Sequence, residues 1–351
     1  MEQSSYSSVG HEDTMNVPDM VRSGSDDKGD KTLRKLSRAN GNEKLPKNNS
    51  LTVSLELNRG ESELTPSREV ESPSGKTTLS TKPNSDLLLT VEKLGRHKGL
   101  VIVQFLNLGY INMTKSWICN VECMDILPFT ILITSDRLAY WQLKEWKPDL
   151  NVVLQTFGDS KSMRHNEDSY NEYLCYRVRL VDLILNLPMS VFLVESDAVW
   201  FSNPLVFINR YSNVDIVANT NNALSEEKKA MAGFVFLNAT SSTRSLWTKL
   251  RQKLDNISKR YQNGTGKSAG DMGIFNALLK KEKPKVEWFP ADQFFSGLWY
   301  GQPKLRDTPK QPVVIQNNCV AGNDRKEKRA KRWSHWFLSN STEECIGNPC
   351  R

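Results

Sequence analysis

The sequence predicts an α/β fold, one mixed and mostly parallel sheet flanked by helices, and three observations carry that reading. Apolar runs at Val101–Leu106 and Phe129–Thr134 bracket a segment in which Trp117, Val121 and Met124 keep helical spacing, so strand, helix and strand follow one another over the length of a βαβ unit. Val191–Val194 is a continuous hydrophobic run, as expected of a strand buried on both faces. Just before it, Tyr170, Tyr173, Leu174, Arg177, Val178, Val181, Ile184 and Leu185 recur at helical spacing until Pro188 ends the pattern.

Composition divides the chain. Residues 1–88 are rich in Ser, Asn, Lys, Glu and Gly and nearly free of aromatic side chains, so they cannot bury enough apolar surface to offset the entropy of ordering. They are expected to be a disordered, stem-like region, with residues 89–351 forming one large α/β domain. The net charge of +7 invites a nucleic-acid reading, but the excess is diffuse outside Arg325–Arg332 and no nucleic-acid-binding signature accompanies it. No nucleic-acid partner is expected. No stretch approaches the ~18–20 apolar residues that cross a bilayer, and no basic start precedes an apolar segment as in a signal peptide.

Asn48, Asn112, Asn238, Asn256, Asn263 and Asn340 each open an Asn-x-Ser/Thr sequon, a pattern that a chain rich in Ser, Thr and Asn also makes by chance. The six cysteines are an even number, and Cys345 and Cys350 flank a short tail that would suit a staple; buried free thiols are the other reading. The four scattered histidines form no ligand-spaced set with them, so zinc is not expected.

Taken in order, the strand at Val101–Leu106 closes on Asn107, Leu108 and Gly109, and the second strand ends at Ser135 and Asp136. Val152–Thr156 reads as a short third strand. The helix ending at Leu185 carries Arg177 and Arg179, whose aliphatic stems can cover neighbours or whose tips can hold a phosphate. Beyond Val194, side-chain alternation would put Glu195 and Asp197 on one side of the emerging strand. Ligands in open α/β sheets bind outside the carboxyl ends of strands, so these two acids are either a binding pair or solvated loop residues. Trp200–Pro204 then leaves the sheet. Val214–Ala218 and Gly233–Asn238 are further strands. Leu246, Trp247, Leu250, Leu254 and Ile257 mark a helix capped by Ser241 or Ser242. A loop at Asn263–Gly270 precedes Asp271, well placed to cap a helix holding Ile274, Phe275 and Leu278, and Val286–Phe289 and Val313–Gln316 complete the strands.

The order of polar positions along this framework is more specific than any one of them. It runs Asn107, Asp136, Arg179, then Glu195 and Asp197 with Trp200, Asn203 and Pro204. Ala232, Gly233 and Phe234 follow, then Asp271 with Phe275 and Asn276, Phe294–Gly297, and Gln316, Asn317 and Asn318 with Gly322 and Lys326. This order resembles the nucleotide-diphospho-sugar transferase domain family, glycosyltransferases of the A-type fold with a Rossmann-like sheet, related to plant xylosyltransferases and arabinosyltransferases. The resemblance spans about Leu100 to Phe337 and is most specific from Arg179 to Pro204.

It implies a metal-dependent glycosyltransferase, retaining at the anomeric carbon, that moves a sugar from a nucleotide-diphosphate donor, UDP-linked, to a hydroxyl of a glycan or glycoprotein. A relative that binds nucleotide sugar or glycan without transfer is the alternative. Mn²⁺ or Mg²⁺ would neutralise the leaving diphosphate, held by the oxygens of Glu195, Asp197 and Gln316. Asn107 and Asp136 would lie beside the nucleoside, Gly233 beside the donor, Arg179 near the diphosphate or sugar and Lys326 on the phosphates, with Asp271 and Arg179 the catalytic pair. Trp288, Trp299 and Tyr300 could form an acceptor platform or pack in the core.

Three positions depart from the family pattern. Met231 stands where the family has asparagine, Met272 where its Asp-Gln-Asp has glutamine, and Gln316 where a histidine completes many metal shells. Members of this kind work in the Golgi lumen on an N-terminal membrane anchor. The expectation is a Golgi protein whose anchor is missing from this sequence or lost, with a soluble protein of another compartment as the alternative.

Overall fold

The computed structural model describes residues 85–96, 99–155, 168–211, 213–220, 225–262 and 270–347. The disorder expected of residues 1–84 and the loop expected at 263–269 lie outside them. The first described element is α1 (Ser85–Gly95), which buries Leu87 and Val91; apolar side chains four apart seat it on the sheet, so the core begins before Leu89.

The first half of the chain is an alternating α/β unit. It contains β1 (Leu100–Leu106), α2 (Ile111–Val121), β2 (Thr130–Thr134), α3 (Arg137–Trp146), β3 (Val152–Leu154), α4 (Asp168–Leu185) and β4 (Ser190–Val194). The second half continues with β5 (Ala198–Trp200), α5 (Leu205–Ile208), β6 (Ile216–Thr220), β7 (Ala230–Leu237), α6 (Ser241–Gln262) and α7 (Asp271–Glu282). It closes with β8 (Val286–Trp288), β9 (Phe294–Phe295), β10 (Val314–Gln316) and α8 (Asn323–Arg332).

Seven strands make the main sheet in the order β3-β2-β1-β4-β7-β6-β8. β1 pairs in parallel with both β2 and β4, while β7 lies antiparallel between β4 and β6. The chain thus runs outward from β1 to β3 and returns to place β4 on the other flank of β1. That reversal opens a crevice at the carboxyl ends of β1 and β4, where α/β folds bind ligands. Alternation along the strands sorts side chains into two cores. Val101, Val103, Val191 and Leu193 meet α4, α6 and α7 on one face; Ile102, Phe192, Val194 and Phe234 meet Trp117 and Trp200 on the other.

A second, three-stranded sheet in the order β5-β10-β9 crosses the carboxyl end of the first. Its strands are two or three residues long, with β5 and β10 antiparallel. Beyond α8, the tail returns over α2 and is joined to it by a disulfide between Cys119 and Cys345. Cys123 is also disulfide-bonded, and Cys175 and Cys319 are free thiols. Cys345 is therefore not stapled within the tail; the covalent link spans 226 residues.

Candidate active site

The site begins where β4 stops. Strand pairing ends at Val194, and Glu195, Ser196 and Asp197 form a turn in which Ala198 N donates to Glu195 O at 3.2 Å. The two acids converge through this turn, not through alternation along a continuing strand, because the chain must bend here to enter the second sheet as β5. Trp200 anchors the bend. Its ring is fully buried, and its backbone N and O are both bound by the Asn120 side chain at 2.7 and 2.8 Å.

Asp197 is almost wholly buried. Its Oδ2 accepts from Lys326 Nζ at 2.7 Å, while Oδ1 has no hydrogen-bond partner among the described residues. A buried carboxylate oxygen left over in this way is a group that needs a cation or a donor. Lys326 reaches it from α8, with Nζ 5.9 Å from the Tyr110 ring centre. Burial alone would lower the Lys326 pKa; the Asp197 carboxylate, helped by Tyr110 and Glu195, reverses that and raises it, so the ammonium stays charged. The basic run at Arg325–Arg332 is thus a helix whose inward face serves the acids of β4.

Glu195 lies against bare backbone. A Cβ on Gly233 would stand 2.2 Å from the Glu195 carboxyl carbon, so any side chain at that point of β7 would push the carboxylate from its place. Desolvation at the floor of the site, then the adjacent Asp197 charge, push the Glu195 pKa up against the pull of Arg177 and Lys326. Arg177 Nη1 donates to Glu195 Oε1 at 3.2 Å, and its Nη2 donates to Asp271 Oδ2. Asp271 is the first residue of α7 but does not cap it; Gly270 holds the cap position, and the buried carboxylate is spent on Arg177 at the positive end of the helix.

Arg179 is not brought to these groups. Two residues beyond Arg177 it points across the helix, and its Nε donates to Asp255 of α6 at 2.8 Å. Arg177, on the buried stripe of α4, is the arginine that reaches Glu195 and Asp271.

The remaining expected residues fall at strand ends. Asn107 follows β1, is 4% exposed and opens a short 3₁₀ turn through Tyr110 N to Asn107 O at 2.9 Å. Asp136 ends β2 as the N-cap of α3, its Oδ1 accepting from Leu138 N at 2.8 Å and Ala139 N at 3.4 Å. Gln316 ends β10 opposite Ala198, fully buried, its Oε1 accepting from Asn219 Nδ2 at 3.4 Å. Met231 is buried in β7, and Met272 is half exposed in the first turn of α7. The three aromatic residues do not form one platform. Trp288 stands at the β8 edge with Lys228 5.6 Å from its ring, whereas Trp299 and Tyr300 pack with Trp333 and His335.

Two further residues take part: Asn317, which the motif order named without a role, and Arg329, which it did not name. Asn317 N donates to Asp197 O at 2.9 Å and Asn317 Nδ2 to Lys326 O at 2.7 Å, so one side chain and its backbone tie the acid turn to α8. Arg329, one turn beyond Lys326, donates through Nε to Asn317 Oδ1 at 2.6 Å and through Nη2 to Asn318 O, with its guanidinium 4.5 Å over the Tyr300 ring. The spacing of Lys326 and Arg329 on one helix face was the available signal.

Comparison with known proteins decides the family. The nucleotide-diphospho-sugar transferase profile matches residues 125–330, more than half of the chain. The chain belongs to that family. It is therefore a glycosyltransferase with a nucleotide-sugar transferase domain, on the mixed, mostly parallel sheet described above.

Among its relatives, a UDP-D-xylose:L-fucose alpha-1,3-D-xylosyltransferase of Arabidopsis thaliana is 21% identical over 301 residues, 79% of this chain and 81% of that protein. The beta-arabinofuranosyltransferase RAY1 of Arabidopsis thaliana is 21% identical over 70% of this chain and 49% of its own length. The galactosyltransferase LgtC, solved with donor and acceptor sugar analogues, aligns with a TM-score of 0.43 at 14% identity, over 68% of this chain and 97% of that one. Among the described residues no cluster of three His, Cys, Asp or Glu side chains could hold a metal, and no helix is long and apolar enough to cross a membrane.

Proposed function

We propose that this glycosyltransferase is metal-dependent and moves a pentose from a UDP-linked donor to a hydroxyl of a glycan or glycoprotein, with retention at the anomeric carbon. One observation carries the proposal. Glu195 and Asp197 converge at the end of β4 with a buried Asp197 oxygen unpartnered and the cations Arg177 and Lys326 on either side. The donor set fits Mn²⁺ or Mg²⁺ through oxygen atoms alone: Glu195, Asp197 and the Gln316 carbonyl. When bound, such an ion supplies Lewis-acid neutralisation of the leaving diphosphate.

The chain's own residues do the rest. Lys326 leaves Asp197 for the diphosphate as the donor enters and carries positive charge to the oxygens on which negative charge develops. Arg177 holds Glu195 and Asp271 in place on the sugar side, and Gly233 leaves the space over β7 in which the Glu195 carboxylate sits beside the donor. Asn107 and Asp136, at the ends of β1 and β2, border the nucleoside. The pentose and the UDP carrier are proposed from the xylosyl and arabinosyl relatives. A Golgi lumenal location is proposed as well, since the disulfides suit an oxidising compartment.

A panel of UDP- and GDP-sugars incubated with the protein and Mn²⁺ tests the reading. Nucleotide release is expected with a UDP-pentose, and the anomeric coupling of the product reports retention. Asp197→Asn should abolish Mn²⁺-dependent donor binding in calorimetry; unchanged binding would remove the metal assignment. Met272 in place of an amide, and Gln316 in place of an imidazole, favour a second reading in which donor is bound without transfer. Binding that depends on Asp197, with no turnover on any donor, selects it.

A further inference from the structure

Sequons mark where an oligosaccharide can be attached, and the structure sorts them. Asn238 ends β7 with its amide fully engaged: Nδ2 donates to Val214 O at 2.8 Å, and Oδ1 accepts from Ser190 Oγ at 3.0 Å and from Ala239 N at 2.9 Å. A glycan on that nitrogen would displace a contact between β6 and β7 and leave part-buried polar groups unpaired. Asn112 and Asn256 are exposed but lie within helices α2 and α6.

Asn340 differs from all of these. It sits in an exposed turn between Leu338 and Cys345, which pair across a short antiparallel bridge. Ser339 Oγ fixes the turn by accepting from Ser341 N and Thr342 N, both at 3.3 Å, and Ser339 N donates to Glu344 O at 2.8 Å. Only Oδ1 of Asn340 is used, by Lys331 Nζ at 2.7 Å; Nδ2 donates to no group among the described residues. The turn therefore presents the amide nitrogen and the Thr342 side of the sequon to solvent.

The Cys119–Cys345 bond adds a second, independent observation. It closes five residues after Asn340, and stable disulfides form in the oxidising compartments where N-linked oligosaccharides are also attached. We propose that Asn340 carries an N-linked oligosaccharide and that Asn238, despite its identical tripeptide pattern, does not. The attachment joins Asn340 Nδ2 to C1 of the first sugar of a lipid-diphosphate oligosaccharide. The C1–O bond to the diphosphate breaks, the lipid diphosphate leaves with its electron pair, and the amide nitrogen loses one proton. The glycan would stand beside the tail that covers α2.

The full chain, produced in a eukaryotic cell behind a cleavable secretory leader and recovered with its disulfides intact, provides the test. Amidase deglycosylation in ¹⁸O water followed by peptide mass spectrometry reads each sequon. Asn340 is expected to convert to labelled aspartate and Asn238 to remain asparagine. Asn340→Gln and Thr342→Ala should each lose the same single glycan from a denaturing gel, without a change in melting temperature. Asp197→Asn should keep it, because the glycan is added by the cell and not by this enzyme. An unmodified Asn340, or a labelled Asn238, in folded and disulfide-bonded protein overturns the proposal.

Discussion

Arg177 and Arg179 show how much a two-residue step matters on a helix. At 100° per residue they point to nearly opposite sides, and only Arg177 shares the stripe of Leu174, Val178, Val181 and Leu185 that α4 buries. The stripe was legible in the sequence, so the phase that puts Arg177 inward could have been read from it, whereas the family pattern pointed to Arg179. The energetic consequence is unequal. Arg177 is buried against Asp271, and Arg177→Met leaves that buried carboxylate without its partner at a cost of about 3–5 kcal/mol, the more exposed Glu195 adding little. Arg179 shares Asp255 with Arg251 and is 38% exposed, so Arg179→Met should change stability by no more than ~1 kcal/mol. Urea unfolding of the two variants decides between them, and equal losses would remove Arg177 from its central place.

At the scale of elements, most strands of the main sheet were readable because they are buried apolar runs, and so was β10, whereas β5, β9 and the way the second sheet pairs were not. β5, β9 and β10 hold two or three residues apiece, and β5 gains its pairing from a partner far along the chain, Val314 opposite Trp200, while β9 pairs with β10 across an intervening loop. Nothing local encodes such contacts. The same holds for the Cys119–Cys345 link, whose partners are fixed by the path of the tail over α2. α8 was visible as charge but not as a helix, since its residues are nearly all polar and its apolar stripe is reduced to Ala330.

That helix nevertheless sets the site, through Arg329. Its guanidinium holds Asn317, and Asn317 holds both the Asp197 backbone and the Lys326 backbone. Arg329→Gln should raise the donor KM about tenfold, the equivalent of one charge-assisted hydrogen bond, while the acceptor KM and the melting temperature change little. Arg329→Lys, lacking the planar fork, should recover only part of the loss. Steady-state kinetics with each substrate varied in turn provide the measurement, and an equal rise in both constants would mean that Arg329 merely supports the fold.

At the scale of the whole molecule, one partly buried imidazole that must stay uncharged gives folding a pH dependence of known sign. His335 lies among the aromatic rings of Phe201, Trp299 and Tyr300, its Nδ1 2.9 Å from the Tyr300 hydroxyl. Burial lowers its pKa to about 4. An unfolded histidine, near 6.5, therefore takes up a proton that the folded one refuses. Stability contributed by the neutral ring is complete above pH 6.5 and is lost as pH falls toward 4, with a slope of up to about 1.4 kcal/mol per pH unit inside that window and none outside it. Carboxylates elsewhere add their own acid sensitivity, so the informative quantity is a difference. His335→Gln keeps a hydrogen-bond partner for Tyr300 but cannot take up a proton in this range. Denaturant midpoints measured from pH 7.5 to 4.5 should fall more steeply for the native chain than for His335→Gln, the two curves converging toward acid; parallel curves would show that the ring is already solvated in the folded protein.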